Sequence, residues 1–416
     1  MFSSLRLQDY RRLWWAGTFS FMAVQMQFLL RGVLAWDLTE REGALGLVYL
    51  GFGLSMLIAT PLGGVAADRL PKRRVMLAAQ IVLFVGAAGM GLVVVAEVAE
   101  LWMLVVASIM QGAAFGFYGP TRVAFTSELV GREQLGNAIT LSMLSMNGTR
   151  VIAPSFAGAL AGMALFGIGG AYLVSAGFST IALLMLFRCP PGNVREGLPP
   201  ARPLAEIADG VRYVFARRRL RRLVVASIFV IVFGFNYVAF IPALVKGDFD
   251  LGDGHVGVIM SAGSVGAIVV SLVLASRADG AGAWRLMVIN GLVFGLGVIV
   301  LALVPVFWMA VLVVGVIGAG ATGFQSLSNT IGLNMAEPSH QGRVQSLLML
   351  SWAGFGMAAA PLGLLAEAIG LRQAIVVMGV VATAGVAVYV LLENAGRFPQ
   401  TVDAHEEPAP TPVAGD

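Results

Sequence analysis

Long apolar runs alternate with short polar breaks along this chain, and each run has membrane-crossing length. At about 1.5 Å per residue, a helix needs about 20 mainly apolar residues to cross a ~30 Å hydrocarbon core. On that basis the runs at 13–36, 46–67, 75–96, 101–124, 137–165, 168–188, 223–246, 255–276, 285–304, 306–330, 344–368 and 371–392 each predict a transmembrane helix. Gly, Pro and Ser inside them are tolerated, because neighbouring helices re-satisfy the backbone. The longest polar break is 189–222. Its first part, from Pro190-Pro191 to Pro203, reads as an exposed linker. Its second part sets Leu204, Ile207, Val211, Val214 and Phe215 at helical spacing ahead of Arg217-Arg218-Arg219 and Arg221-Arg222. That pattern predicts an amphipathic helix on the inner leaflet, with a partner-binding segment as the alternative.

Loop charge fixes the expected orientation, since Lys and Arg favour the cytoplasmic side. With the N-terminus inside, the inner segments hold Arg6, Arg11, Arg12, Arg69, Lys72, Arg73, Arg74, Arg122, Arg132, the cluster from Arg188 to Arg222, Arg277, Arg285, Arg343 and Arg397. The outer loops hold Arg41, Lys246 and Arg372. The expected fold is therefore an all-α membrane protein. About twelve transmembrane helices form two parallel six-helix halves, with both termini cytoplasmic. The halves are 1–188 and 223–394; residues 189–222 form the cytoplasmic linker, and 395–416, with Pro399, Pro408, Pro410 and Pro412, a disordered cytoplasmic tail.

Composition agrees and narrows the functional classes. The chain is 58% hydrophobic and 12% charged, against about 25% charged in a soluble domain, so most of its surface must face lipid. Most of its 52 glycines lie inside the apolar runs, where small residues let helices approach closely. Cys189 stands alone, which excludes an intramolecular disulfide. His255, His340 and His405 are too scattered for a metal site, and no cofactor or nucleic-acid partner is expected. The first apolar run lacks a small-residue cleavage site, so no cleavable signal peptide is expected. An enzyme is disfavoured: no nucleophile–base arrangement, Walker pattern or metal cluster appears.

The two halves share a repeat. Leu47-Val48 follow Gly46 as Val258-Ile259 follow Gly257, and at the same offset Ala67-Asp68 falls on Ala278-Asp279 and Arg74 on Arg285. Later, Gly116-Phe117 falls on Gly323-Phe324 and Pro154 on Pro361. Parallel repeats with a substrate path between them are a known transporter plan.

At these residues the chain resembles the major facilitator superfamily. The loop after span 2 matches the superfamily's signature at Gly64, Asp68, Arg69, Arg73 and Arg74, with Pro71 replacing the usual small residue. That departure, the opening Tyr10–Trp14 pattern and the Asn147-x-x-Arg150-x-x-Ala153-Pro154-x-x-Ala157-Gly158 pattern look like the bacterial subgroup of enterobactin exporters and macrolide efflux proteins. The resemblance spans residues 1 to about 395 and implies transport by alternating access. It implies an inner gate at Gly64, Asp68, Arg69, Arg73 and Arg74, with a decayed second copy at Asp279 and Arg285. It also implies a hinge or seal at Pro154 and Gly158, with alanine in place of glycine at 153 and 157. Taken singly, the arginines of the loop also read as topology alone.

Two arginines lie away from the membrane edges. Arg31 lies about 27 Å along its helix from Leu13, with Gln27 one turn before it on the same face. Arg150 lies about 20 Å into span 5, with Asn147 a turn earlier. A charge left in lipid costs at least about 2.5 kcal/mol, so both should face a cavity or a polar neighbour. For Arg31 the alternative is snorkelling to the outer interface beside Asp37; for Arg150 it is hydrogen bonding to helix carbonyls. Gln25, Gln111, Asn236, Asn290, Gln325, Asn329 and Asn334 read as helix ties or as substrate contacts. Trp15, Phe115, Phe117, Tyr118, Phe235, Tyr237 and Trp352 read as cavity walls or as an interfacial belt. No carboxylate lies deep in a predicted span, which with the two arginines points to a neutral or anionic cargo. The expectation is a monomeric exporter in the inner (plasma) membrane, in contact with lipid and driven by protons, for a small amphiphile such as a siderophore or antibiotic. Gln27, Arg31, Asn147 and Arg150 would contact the cargo. Two readings stay open on the same fold: an importer or lysophospholipid flippase, and a scaffold or sensor that does not transport.

Overall fold

The computed structural model describes residues 3–194, 203–274, 282–337 and 341–394. It is all-helical, with no strand among the described residues. The helices are α1 (Gln8–Thr39), α2 (Glu42–Arg69), α3 (Lys72–Val95), α4 (Leu101–Ala161), α5 (Gly167–Phe187), α6 (Pro203–Ala216), α7 (Arg218–Phe233), α8 (Tyr237–Ala243), α9 (Asp253–Leu274), α10 (Ala283–Leu303), α11 (Phe307–Asn334), α12 (Gln341–Ile369) and α13 (Leu371–Asn394). Among the described residues, eleven helical stretches are long and apolar enough to cross a membrane. The predicted span 137–165 is not one of them. It forms the second arm of α4, and its polar positions, Asn147 and Arg150 among them, dilute its hydropathy.

Three boundaries differ from the sequence reading. The first arm of α4 runs past 124 to Gly131, whose φ of 69° bends the chain into the second arm. A positive φ carries little steric cost at glycine. Glu128 gives that extension a polar anchor, 3.1 Å from Lys72 Nζ. The predicted span 223–246 is broken: a 3₁₀ turn at Gly234–Asn236 separates α7 from α8, and a π turn follows at Leu244–Asp248. Asn236 stitches the break by donating to the Phe355 carbonyl at 3.1 Å. Third, α6 packs against protein. Tyr213 and Val214 are buried with Leu220, Val224, Ala336 and Val344, while Val211 and Phe215 are exposed. Arg217 pairs with Glu337, and Arg219 and Arg222 with the buried Glu393, at 3.7 and 3.2 Å for the latter two. These arginines therefore meet protein carboxylates, where the sequence suggested the bilayer surface. The side chains of Leu204 and Ile207 and the tail after Asn394 lie outside the described residues.

Helices α1–α5 pack among themselves, and so do α7–α13. Two main seams join the groups, α2 against α12 and the second arm of α4 against α9, with α8 also touching α1 and α2. Both are made of small residues. A Cβ on Gly53 would lie 2.6 Å from the Ala353 carbonyl, and one on Gly46 would lie 2.8 Å from Ala360 Cα. Across the other seam, a Cβ on Gly158 would lie 2.8 Å from Gly257 N, and one on Gly162 would lie 2.7 Å from Gly254 Cα. Only glycine permits such close backbone approach. Gly46 and Gly257 are the repeat-related pair, so each seam places the same repeat position against the other group.

The seams converge at one end of the bundle, and polar side chains lock it. Lys246 pairs with Asp37 of α1 and Asp253 of α9. Arg41 meets Glu367 with Nε at 3.0 Å and Nη2 at 3.3 Å. This seam end lies opposite the end that carries Asp68.

Candidate functional site

Arg150 lies in the second arm of α4, midway between the two ends. Its Nη1 donates to Gln325 Oε1 of α11 at 2.9 Å, and its guanidinium carbon sits 4.3 Å from the ring centroid of Trp352 on α12. A cation on the first group is thus held by a neutral amide and an indole face of the second. No carboxylate forms an ion pair with it among the described residues. A cation–π contact and one amide leave most of its five N–H donors for another acceptor.

Aromatic rings close the space between this arginine and the seam end. Phe28 and Phe355 have centroids 5.8 Å apart, Tyr49 and Phe355 6.0 Å, Trp352 and Phe355 6.1 Å, and Phe235 and Trp352 5.4 Å. The set draws on both groups, so parting the seams would part the rings.

Arg31 is placed differently. It is 3% exposed and enclosed within the first group. Its Nε donates to the Gln27 carbonyl at 3.3 Å and its Nη1 to Ser108 Oγ at 3.2 Å. The rings of Phe52 and Phe28 stand 5.3 and 5.7 Å from its guanidinium carbon. Gln27 continues the knot, donating to Ser175 Oγ at 3.0 Å and accepting from Gln111 at 3.2 Å. Arg31 therefore neither snorkels to Asp37 nor lines the interface with Arg150. Polar atoms and ring faces inside the first group offset its desolvation. Asn147 lies on α4 a turn from Arg150, and its side chain is outside the described residues.

The loop motif divides between two environments. Gly64 and Asp68 are half-buried along the last turns of α2, while Arg69 and Arg74 are exposed. A Cβ on Gly64 would meet open space among the described residues. Arg73 Nη1 donates to the Cys189 carbonyl at 2.8 Å, and the Arg73 backbone N–H to the Pro191 carbonyl at 3.2 Å. Lys72 reaches the Asn193 carbonyl, and Glu128 accepts from the Asn193 N–H at 2.6 Å. So the basic part of the motif ties the start of α3 to the chain leaving α5, within the first group. Arg285 is exposed in the first turn of α10, and Asp279 lies outside the described residues. Pro154 is buried inside α4, with Ala153 and Ala157 fully buried one residue before and three after it, and Gly158 meets Gly257 at the seam.

Sequence reasoning missed Arg122 and the seam-end ion pairs. The positive-inside pattern accounts for Arg122 as a topology charge, although it falls inside the run 101–124; in the structure it stands within the bundle, 5.0 Å from the ring centroid of Phe21. Asp37 and Lys246 carried no motif, and only the tertiary fold brings them together.

Comparison with known proteins places the chain among transporters. The profile described as Major Facilitator Superfamily matches residues 13–361 and again 233–415. The enterobactin exporter EntS of Shigella flexneri is 26% identical over 316 residues, covering 74% of this chain and 73% of that protein. Among solved structures, a bacterial homologue of the human lysosomal transporter Spinster, inward-facing and unoccupied, superposes with a TM-score of 0.74 at 16% identity, covering 93% of this chain and 97% of that one. The nucleoside transporter NupG gives a TM-score of 0.70 at 14% identity, with 93% and 99% coverage.

Proposed function

Because the chain belongs to the Major Facilitator Superfamily and is a membrane transporter of that type, we propose that it exports a small anionic or amphiphilic metabolite across the inner membrane by proton-coupled alternating access. The observation that carries this reading is Arg150, a cation between the two groups of helices with neutral partners on the opposite side. A half-buried guanidinium without a carboxylate favours an anion, since an incoming negative charge restores what desolvation removed. Similarity to EntS supports export as the direction.

In this reading α1–α5 and α7–α13 are two six-helix halves that rock about Arg150, and the Asp68 end faces the cytoplasm. The described state is then inward-facing, sealed outside by the glycine seams and the Lys246 and Arg41 ion pairs. The second arm of α4 serves as the twelfth span. Asp68, Arg69 and Arg74 act at the inner gate, with Arg73 bracing the loop they stand on. Pro154 and Gly158 shape the outer seal. Arg31, Gln27 and their partners hold the first half rigid close to the cargo.

The test is proton movement in energised inside-out vesicles challenged with anionic, neutral and cationic amphiphiles. Collapse of the pH gradient by the anionic class alone, lost in Arg150→Gln, is the expected result. Equal loss of anionic and neutral cargo in that variant would make Arg150 a structural tie and sink the anion reading. A pH gradient untouched by every class would remove proton coupling and direct the work to lysophospholipid movement.

A further inference from the structure

Arg122 and Tyr118 form a second cationic site, nearer the Asp68 end than Arg150. They lie one helical turn apart on the first arm of α4. At about 1.5 Å per residue, Arg122 stands about 31 Å from the Leu101 end of its arm, and Arg150 about 18 Å from the Gly162 end of the other. The two cations are therefore separated by roughly 13 Å in depth. The Phe21 ring lies 5.0 Å from the Arg122 guanidinium. Gly17 of α1 faces Arg122; a Cβ there would make ordinary contact with it, 3.5 Å from Cδ and 3.9 Å from Nη1.

Two polar atoms in this site are buried without a hydrogen-bond partner: Arg122 Nε and the Tyr118 hydroxyl, on a tyrosine only 1% exposed. Ser20 lies near that hydroxyl without a hydrogen bond of normal geometry; its Oγ donates to Gln80 at 2.7 Å and keeps its acceptor sites. No ion pair reaches Arg122 among the described residues. A buried donor left unsatisfied is costly, and more so when charged, so a site carrying two of them is built for something that arrives.

We infer that Arg122 and Tyr118 bind the anionic group of an aromatic cargo before it reaches Arg150. This rests on the export reading above and adds to it the docking station and the chemical class. The planar guanidinium offers its in-plane N–H fork to a carboxylate or phosphate oxygen pair, and the tyrosine hydroxyl supplies one more donor. Phe21 and Phe115, 5.7 Å apart edge-on, supply ring walls for an aromatic body. Transfer to Arg150 exchanges one guanidinium for another at similar cost, so neither station need bind tightly enough to trap the cargo.

The experiment measures binding of salicylate, benzoate and phenyl phosphate to the full chain in nanodiscs by calorimetry, with salicylamide as the neutral control. Arg122→Gln is expected to weaken anion binding at least about tenfold while leaving salicylamide unchanged. Tyr118→Phe, which keeps the ring packing, is expected to weaken it about three- to tenfold. Tyr118→Phe also keeps the test open if Arg122→Gln does not fold. Arg150→Gln separates the two ideas. If it abolishes anion transport while Arg122→Gln and Tyr118→Phe both bind within twofold of wild type, the docking site is wrong and the export reading stands. If none of the three variants changes anion binding or transport, both fall. Absence of saturable binding of all three anions to wild type up to millimolar concentration also overturns the site.

Discussion

Replacing Gly158 by alanine should loosen the seam end without harming the fold of either group. A methyl at 158 would lie 2.8 Å from Gly257 N, and its other close neighbour is that residue's Cα. Both are backbone atoms, so no side chain can swing aside. Carbon contacts are comfortable at about 3.5–4.0 Å, so α4 and α9 must separate by roughly 1 Å at the crossing. Overpacking of this kind costs about 1–3 kcal/mol. Here the protein has a way to shed the cost, since the open arrangement of a transporter lifts the two helices apart. The strain falls on the closed seam alone and should shift the closed-to-open ratio by about 5- to 150-fold. Spin labels at Met163 and Gly252, both exposed beside the seam, in a Cys189→Ser background, would report it as a rise in the long-distance population by pulsed electron resonance. Gly89→Ala is the control, because a Cβ at Gly89 meets nothing within 4 Å. An unchanged distance distribution in Gly158→Ala, with unchanged thermal stability, would refute the idea that this seam is a close backbone contact that sets the conformational balance.

Further outcomes follow from other parts of the molecule. Lys246→Met should also favour the open seam end, because it leaves Asp37 and Asp253 facing each other without their shared cation; the same labels read it, and a closed distribution would show the ion pairs to be incidental. Asp68→Asn should abolish transport while leaving thermal unfolding within a degree or so of wild type; full transport would remove Asp68 from the gate. Arg372→Ala should lower stability by about 2–3 kcal/mol, seen as a drop in melting temperature, since Arg372 donates to the Ala302 and Val304 carbonyls at 3.1 and 2.7 Å and to Asp248 at 2.7 Å. Cys189 is 2% exposed, and burial pushes its thiol from 9.0 up to about 11. Raised in the folded state, it contributes stability that is whole below about pH 9 and lost as pH climbs toward 11. Maleimide should label it far more slowly than it labels the unfolded chain, and equal rates would contradict the burial.

The sequence alone determined the solvent and the class of molecule. Apolar runs of membrane length can only be helices, because lipid offers no partner for an open backbone. The loop signature and the repeat then carried the family, and an intramembrane charge marked Arg150 as a residue to watch. Local patterns, however, do not say which face a residue presents or what lies opposite it. Arg31 and Arg150 look alike in sequence, yet one is tied inside a single group of helices and the other bridges two. Gln325 reads equally as a helix tie or a substrate contact, and Trp352 as a cavity wall or a belt residue, until α11 and α12 bring them to Arg150. Arg73 reads as half of a gate pair, but the chain returning after α5 takes its guanidinium. Arg122 was hidden by the rule that explained it too easily as a topology charge. In each case the deciding quantity is a contact between residues far apart in the chain. Such contacts arise when glycine seams fix how closely and at which register the helices cross, and only the tertiary structure carries that information.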